Sequence, residues 1–356
     1  MHKLITDTPG KKLFILGNEA IARGALEAGV SFVTCYPGTP SSEIPLQFYQ
    51  LTRETDIYFE YSVNEKVALE VGAGAAATGL RTLVTMKHVG VNVAADPLMT
   101  LAYVGVKGGM VIVTADDPSL FSSQNEQDNR YYARLSGLPM LEPTTIQELK
   151  DLTAQAFDLS ETLGLPVFLR TTTRLNHMRG SVDLGPLKPM VGKMRFEKDP
   201  FSLVTVPAVS RKLHQVLLSR QEQALQASET GDTNQILGSG DLGIVANGIA
   251  FNYVQDAVND LDLGERTSLL PLVFSHPLPR DLCLKFLQQV DRVLVVEELE
   301  PIVEQELKAL AQENGLGLSI RGKGVGGLSR LFEYNPALVR QDRKSTRLNS
   351  SHRLRS

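Results

Sequence analysis

Only two cysteines, Cys35 and Cys283, stand in 356 residues, and they are 248 positions apart. That scarcity excludes a disulfide framework, and it excludes any metal or iron–sulfur site built from cysteines of this chain. Long apolar runs are lacking as well: none reaches the roughly 18 residues of a membrane span. The opening "MHKLITDTPGKKLFILGN" has neither the extended apolar region nor the small-residue cleavage site of a signal peptide, so a cytoplasmic location and no membrane partner are expected. Basic charge is not in surplus either. The formal net charge is −4, and the last fifteen residues, 342–356, carry five basic residues and one acidic one, which leaves residues 1–341 at −8. Such acidity argues against nucleic acid as a partner.

What is present suits two compact domains, since 42% hydrophobic content over this length supports ordinary cores. The final stretch "DRKSTRLNSSH" resembles the translation of a sequencing-adapter oligonucleotide. Residues 342–356 are therefore expected to be a non-native tail, and the chain to be an N-terminal fragment.

Apolar runs and helical periodicities alternate along the chain. "KLFILG", a helix, "SFVTCYPG", "IYFEYS", a long helix from Glu65, "RTLVTM", a helix over 93–107, "GGMVIVTADDP", a helix over 145–163 and "LPVFLRTTT" make six strands with intervening helices. This predicts an α/β fold with a doubly wound, largely parallel sheet over residues 10–185. Residues 186–240 lose the rhythm, carry one polar helix, and are expected to be a linker. A second, smaller α/β domain is predicted for 241–335, with "LGIVANG", "TSLLPLVFS", "RVLVVEE" and "GLSIRGKG" as its strands.

Ligands of open α/β sheets collect beyond the carboxyl ends of the strands, which singles out four turns. In "CYPGTPSSEI", Gly38 permits close approach, Pro40 sets the entry of the next helix, and Thr39, Ser41 and Ser42 offer hydroxyls to an anion. A plain helix cap explains the same residues. In "YSVNEKVALEVGAGAAATG", Asn64 serves as a cap and Glu65 takes the first helical turn. Its charge can simply complement the helix dipole, although its place just past a buried strand aims it at a cleft. "TMKHVGVNVAADP" puts Lys87, His88 and Asn92 after a strand, as functional groups or as a structural histidine with its neighbours. "TADDPSLFSSQNEQDNRYYARL" is a long polar loop, either a lid or a subunit contact, without the spacing of a calcium site. Two glycine motifs are decoys. The run Gly72 to Ala77 spells G-x-G-x-x-A inside a helix rather than in a strand-to-helix turn, and "GSGDLG" precedes its strand.

These turns, together with "RTTTRLNH" from Arg170 and "RVLVVEELEPIVEQEL" from Arg292, closely resemble the large (alpha) subunits of the indolepyruvate type in the thiamine-diphosphate 2-oxoacid:ferredoxin oxidoreductase family. The match runs over roughly residues 10–340 in order and spacing. The resemblance implies a pyrimidine-binding domain of the thiamine-diphosphate fold followed by a transketolase C-terminal-like domain. It also implies that Glu65 is the catalytic glutamate, hydrogen-bonding the aminopyrimidine ring nitrogen of the cofactor. There its carboxyl would exchange the proton that lets the cofactor act as a carbanion. Gly38, Lys87, His88 and Asn92 are then expected near the cofactor, and Thr39 near the substrate carboxylate. No metal ligand is expected in this chain.

The implied reaction oxidatively decarboxylates an arylpyruvate to the aryl-acetyl-CoA. Its partners would be a smaller beta subunit, ferredoxin and coenzyme A. The chain departs from the family pattern by stopping before the Gly-Asp-Gly and Asn motif that holds Mg²⁺ and the diphosphate, and before the clustered cysteines of the iron–sulfur segment. Alone it is expected to be inactive. A pyruvate or 2-oxoglutarate enzyme, or a non-catalytic binding module derived from the family, would share much of this pattern, and "KHVGVN" and "SSQNEQDN" favour the indolepyruvate type.

Overall fold

The structure is a computed structural model that describes residues 2–190, 194–323 and 327–340. The tail expected at 342–356 lies outside the described residues. Two sheets organise the chain. The first has seven strands in the order Phe274–His276, Met140–Leu141, Val167–Thr172, Met110–Asp116, Thr82–Lys87, Phe32–Cys35 and Tyr58–Tyr61, all parallel except the first. The second has five, in the order Ser319–Arg321, Arg292–Val296, Leu242–Ala246, Thr267–Pro271 and Leu237–Gly238, parallel except for the last.

Small residues set how the helices lie on the first sheet. A Cβ on Gly72 would stand 2.6 Å from Val84 Cγ2, so the helix Glu65–Ala77 can settle directly on the strands. Gly74 faces open space, so the close approach belongs to Gly72 alone. On the other face, a Cβ on Gly24 would meet the Lys150 carbonyl at 2.1 Å, and this lets Gly17–Glu27 pack against Ile146–Leu163. The charges trapped there are paired, since Glu27 accepts from Arg23 Nε and from Lys150 Nζ, both at 2.7 Å.

Three expectations need correction. "KLFILG" does form a strand, Lys12–Leu16, but it pairs antiparallel with Arg179–Asp183 in a separate ribbon, and the exposed Phe14 and Lys12 show how little of it a central sheet would bury. "TSLLPLVFS" is two strands. Thr267–Pro271 stays in the second sheet, and the chain then crosses so that Phe274–His276 becomes the antiparallel edge of the first. Residues 186–240 contain the 24-residue helix Pro207–Thr230, which buries Val209, Leu213, Leu217 and Ala224; Leu217 and Ala224 join the cluster formed by Leu98, Leu101 and Phe168. The short helix Arg130–Ser136 and the strand Met140–Leu141 were not anticipated.

Candidate cofactor site

The parallel strands align their carboxyl ends along one edge. From Phe32–Cys35 the chain goes outward to Tyr58–Tyr61, then returns to the opposite side as Thr82–Lys87, so the winding direction reverses between Phe32–Cys35 and Thr82–Lys87. A crevice opens at such a switch point because the two connections leave in opposite directions. Gly38 follows the first of these strands and Lys87 ends the other. They meet: a Cβ on Gly38 would lie 2.8 Å from Lys87 Cδ, so the missing side chain makes room for the lysine stem.

Glu65 opens the helix Glu65–Ala77 behind Asn64, whose side chain accepts from the Val67 amide at 2.9 Å and closes the first turn. The glutamate is 8% exposed, and its carboxylate lies over Gly90 in the helix His88–Val93. Burial pushes its pKa above the ordinary carboxylate range, while its own helix-terminal N–H and the charge of Lys87 pull the other way. Lys87 is shifted down by burial, opposed by Asp117 and Glu65, and its Nζ donates to the Ser122 carbonyl at 2.8 Å.

The other expected residues divide. His88 is fully buried and its Nε2 meets the Asn125 carbonyl at 3.0 Å, while its Nδ1 is an unpartnered buried atom. Asn92 is exposed. Its side chain donates to Gln127 and accepts from the Tyr132 hydroxyl, so it joins the loop instead of the cleft floor. Thr39 is exposed at the rim, and its carbonyl faces Ser122 Oγ at 3.5 Å. Pro40 does not set the helix entry as expected: the helix is Glu43–Leu51 with Ser42 as N-cap, and the Ser41 hydroxyl is engaged by the Gly38 carbonyl at 2.9 Å.

The long loop after Met110–Asp116 closes over this edge. Asp117 is its base, accepting from the Ser122 amide at 2.9 Å, Ser123 Oγ at 2.6 Å and Thr173 Oγ1 at 2.8 Å. Burial alone would raise the Asp117 pKa, but these donors and Lys87 hold it below the ordinary range. Behind the loop lies an ionic network that the sequence reading missed. Arg130 donates to Asp128, to Glu297 Oε2 at 2.5 Å and to the carbonyls of Glu298 and Glu300. Arg170 joins Asp116 and Glu142, and Glu142 also accepts from Asn247 at 2.9 Å. Charges at the ends of apolar strands, in "VFLRTTT" and "VLVVEE", were the available signal. The network ties the two sheets together, because Arg130 and Arg170 belong to the first unit and Glu297, Glu298 and Asn247 to the second.

The two cysteines are buried thiols, with that of Cys35 pushed up to about 12 by its burial. Among the described residues no group of histidine, cysteine and carboxylate side chains could hold a metal ion, and no helix is long and apolar enough to cross a membrane.

The architecture recurs in solved structures. The chain superposes on a 2-oxoglutarate:ferredoxin oxidoreductase from Magnetococcus marinus with a TM-score of 0.76 at 14% identity, covering 94% of this chain and 65% of that one. A split-gene transketolase, solved as an inactive beta4 tetramer, gives 0.60 at 16% identity, covering 92% and 93%. These likenesses define the class of fold. Residues 23–231 match the family model described as pyruvate flavodoxin/ferredoxin oxidoreductase, thiamine diphosphate-binding, and the chain belongs to that family. It is 48% identical over 96% of its length to the indolepyruvate oxidoreductase subunit IorA of Methanothermobacter thermautotrophicus, and 46% identical over 95% to that of Archaeoglobus fulgidus. A 2-oxoglutarate synthase subunit KorA of Archaeoglobus fulgidus is 24% identical over 80% of the chain. The chain spans about half the length of the two IorA relatives, 55% and 54% respectively.

Proposed function

We propose that this chain supplies the aminopyrimidine-holding half of a thiamine diphosphate site in a cytoplasmic indolepyruvate:ferredoxin oxidoreductase. The observation that carries the reading is Glu65: a carboxyl of raised pKa at the switch-point edge, over a glycine, with Lys87 as the cation that its charge senses. Such a group fits an aminopyrimidine. Its carboxyl can donate to a ring nitrogen and exchange a proton with it, which a carboxylate neutralised by a direct ion pair could not do as readily. When bound, thiamine diphosphate supplies the carbanion that adds to a 2-oxoacid and allows carbon dioxide to leave.

The other residues act around that proton. Gly38 makes room for the stem of Lys87 and Gly90 for the carboxylate of Glu65, which seats both charged side chains at the cleft. Lys87 sets positive potential beside the glutamate and moderates how readily it holds its proton. His88 supports the overlying loop through Asn125, and Asn92 does so through Gln127. Thr39, at the rim, can donate its hydroxyl to a substrate carboxylate. Mg²⁺ with the diphosphate, the iron–sulfur clusters, a smaller beta subunit, coenzyme A and ferredoxin would come from outside this chain. The much higher identity to indolepyruvate subunits than to a 2-oxoglutarate subunit supports an arylpyruvate as substrate.

In the assembled oxidoreductase, Glu65→Gln should keep the fold and hold cofactor affinity within about threefold, yet lose at least about a hundredfold in turnover, because an amide cannot relay the proton. Exchange of the cofactor C2 proton, followed by NMR, is the direct measurement. Exchange at the parental rate would sink the assignment of Glu65.

A further inference from the structure

The loop over the cleft is gathered from within by Asp117 and is also fastened from outside. Its tip, Ser119 and Leu120, has φ of 74° and 54°, a conformation disfavoured for residues that carry a Cβ, so something outside the tip must hold it. Glu126 Oε1 accepts from the Ser119 amide at 2.7 Å and also from the amide of Phe332 at 3.2 Å, 206 residues further along the chain. Ser119 returns the link, because its Oγ accepts from the Glu333 amide at 2.8 Å. Phe332 itself sits at φ 68°, so a strained segment on each side is fastened to the other.

The far side of this fastening is anchored in the second unit. Tyr334 is fully buried, its amide donates to Glu298 Oε1 at 2.8 Å, and its hydroxyl meets Lys323 Nζ. Arg330 pairs with Glu300 of the same unit, while Glu333 pairs with Arg174 of the first unit, a further tie across the same boundary. On the near side, the loop that Glu126 gathers supplies the Ser122 carbonyl to Lys87 Nζ and the Asn125 carbonyl to His88 Nε2. Hydrogen bonds thus tie the second unit, through Phe332 and Glu333, to Glu126 and Ser119, and the loop backbone between them carries the link on to Lys87 and His88.

We propose that Glu126 is a positioning residue. By accepting from Ser119 and Phe332 at once, it lets the segment Arg330–Tyr334 hold the loop 117–129 closed over Lys87 and His88. The second unit then orders the cofactor cleft of the first without contributing a side chain to it. The importance of the closed loop rests on the reading of that cleft given above, but the closure itself does not.

The test uses the full chain without cofactor, so its failure is separable from failure of the cofactor assignment. Hydrogen exchange is measured over 117–129 and 330–334, together with labelling of Lys87 by a small amine reagent, with the exposed Lys285 as internal control. Glu126→Ala should raise exchange in both segments and Lys87 labelling by about tenfold, the effect expected from losing one charge-assisted hydrogen bond, with Lys285 unchanged. Ser119→Ala, which removes the second link, should shift both readouts the same way. Glu126→Gln keeps an accepting oxygen and should return them to within about twofold of the parent. Unchanged exchange at 330–334 in Glu126→Ala would overturn the proposal. So would a Glu126→Gln protein as open as Glu126→Ala, because the acceptor role would then not be what holds the loop.

Discussion

Glu65 lies directly over Gly90: a Cβ on that glycine would stand 2.6 Å from the Glu65 Cγ and 2.7 Å from its Oε1. The two residues come from different strand-to-helix connections, and the absence of a side chain on one sets the position of the carboxylate on the other. Gly90→Ala should therefore displace Glu65 while leaving the sheet intact. The expected result is a loss of about tenfold or more in turnover of the assembled enzyme, with a melting temperature within a few degrees of the parent. Parental turnover in a folded Gly90→Ala protein would show that the glycine does not seat the carboxylate.

At the rim, Thr39→Val removes a hydroxyl and keeps the shape. KM for indolepyruvate should rise by about three- to tenfold with little change in thiamine diphosphate affinity, as one lost neutral hydrogen bond implies. Steady-state kinetics at saturating cofactor decide this, and an unchanged KM removes Thr39 from the substrate site.

Arg130 is 3% exposed and holds Asp128 and Glu297 from opposite units. Its removal in Arg130→Ala strands two buried carboxylates, so the unfolding free energy should fall by about 3–5 kcal/mol. Arg130→Lys should recover only part of it, since one ammonium cannot reproduce the planar fork that reaches Asp128, Glu297 and two carbonyls. Denaturant titration of both variants provides the numbers, and a loss below about 1 kcal/mol for Arg130→Ala would mean that the network contributes little to joining the units.

Glu298 has a pKa raised from 4.5 to about 7, chiefly by burial, opposed by the Tyr334 amide and Arg170. The folded protein binds this proton more tightly than the unfolded chain does. Its contribution to stability is thus fully present below pH 4.5 and declines as pH rises to about 7. His276, lowered to about 4 by burial and the charge of Arg134, works in the opposite sense between about 4 and 6.5, so the parent profile alone mixes the two. The stability difference between parent and Glu298→Gln isolates the glutamate. That difference should move against the parent by about 1–3 kcal/mol as pH rises through the window. A constant difference at all pH values would show that Glu298 keeps an ordinary pKa.

The sequence by itself determined the alternation of strands and helices, the parallel sheet, the helix that opens on Glu65 behind Asn64, and the length of the loop after Asp116. Each is written in local periodicity, capping chemistry or turn residues, all of which act within a few residues of their own position. What only the tertiary structure decided depends on partners far along the chain. "TSLLPLVFS" is one apolar run to a local reading, and nothing within it tells that Pro271 ends a strand of one sheet while Phe274 begins a strand of another. "KLFIL" has the composition of a central strand, yet it pairs antiparallel with Arg179–Asp183, a partner far along the chain that no local pattern names. Arg130 and Glu297 are 167 positions apart, and burial turns each from an ordinary surface charge into half of a clamp. His88 and Asn92 stand one turn apart on the same face of their helix, and both turn to the loop, His88 to Asn125 and Asn92 to Gln127 and Tyr132, partners that lie 35 to 40 positions further along the chain.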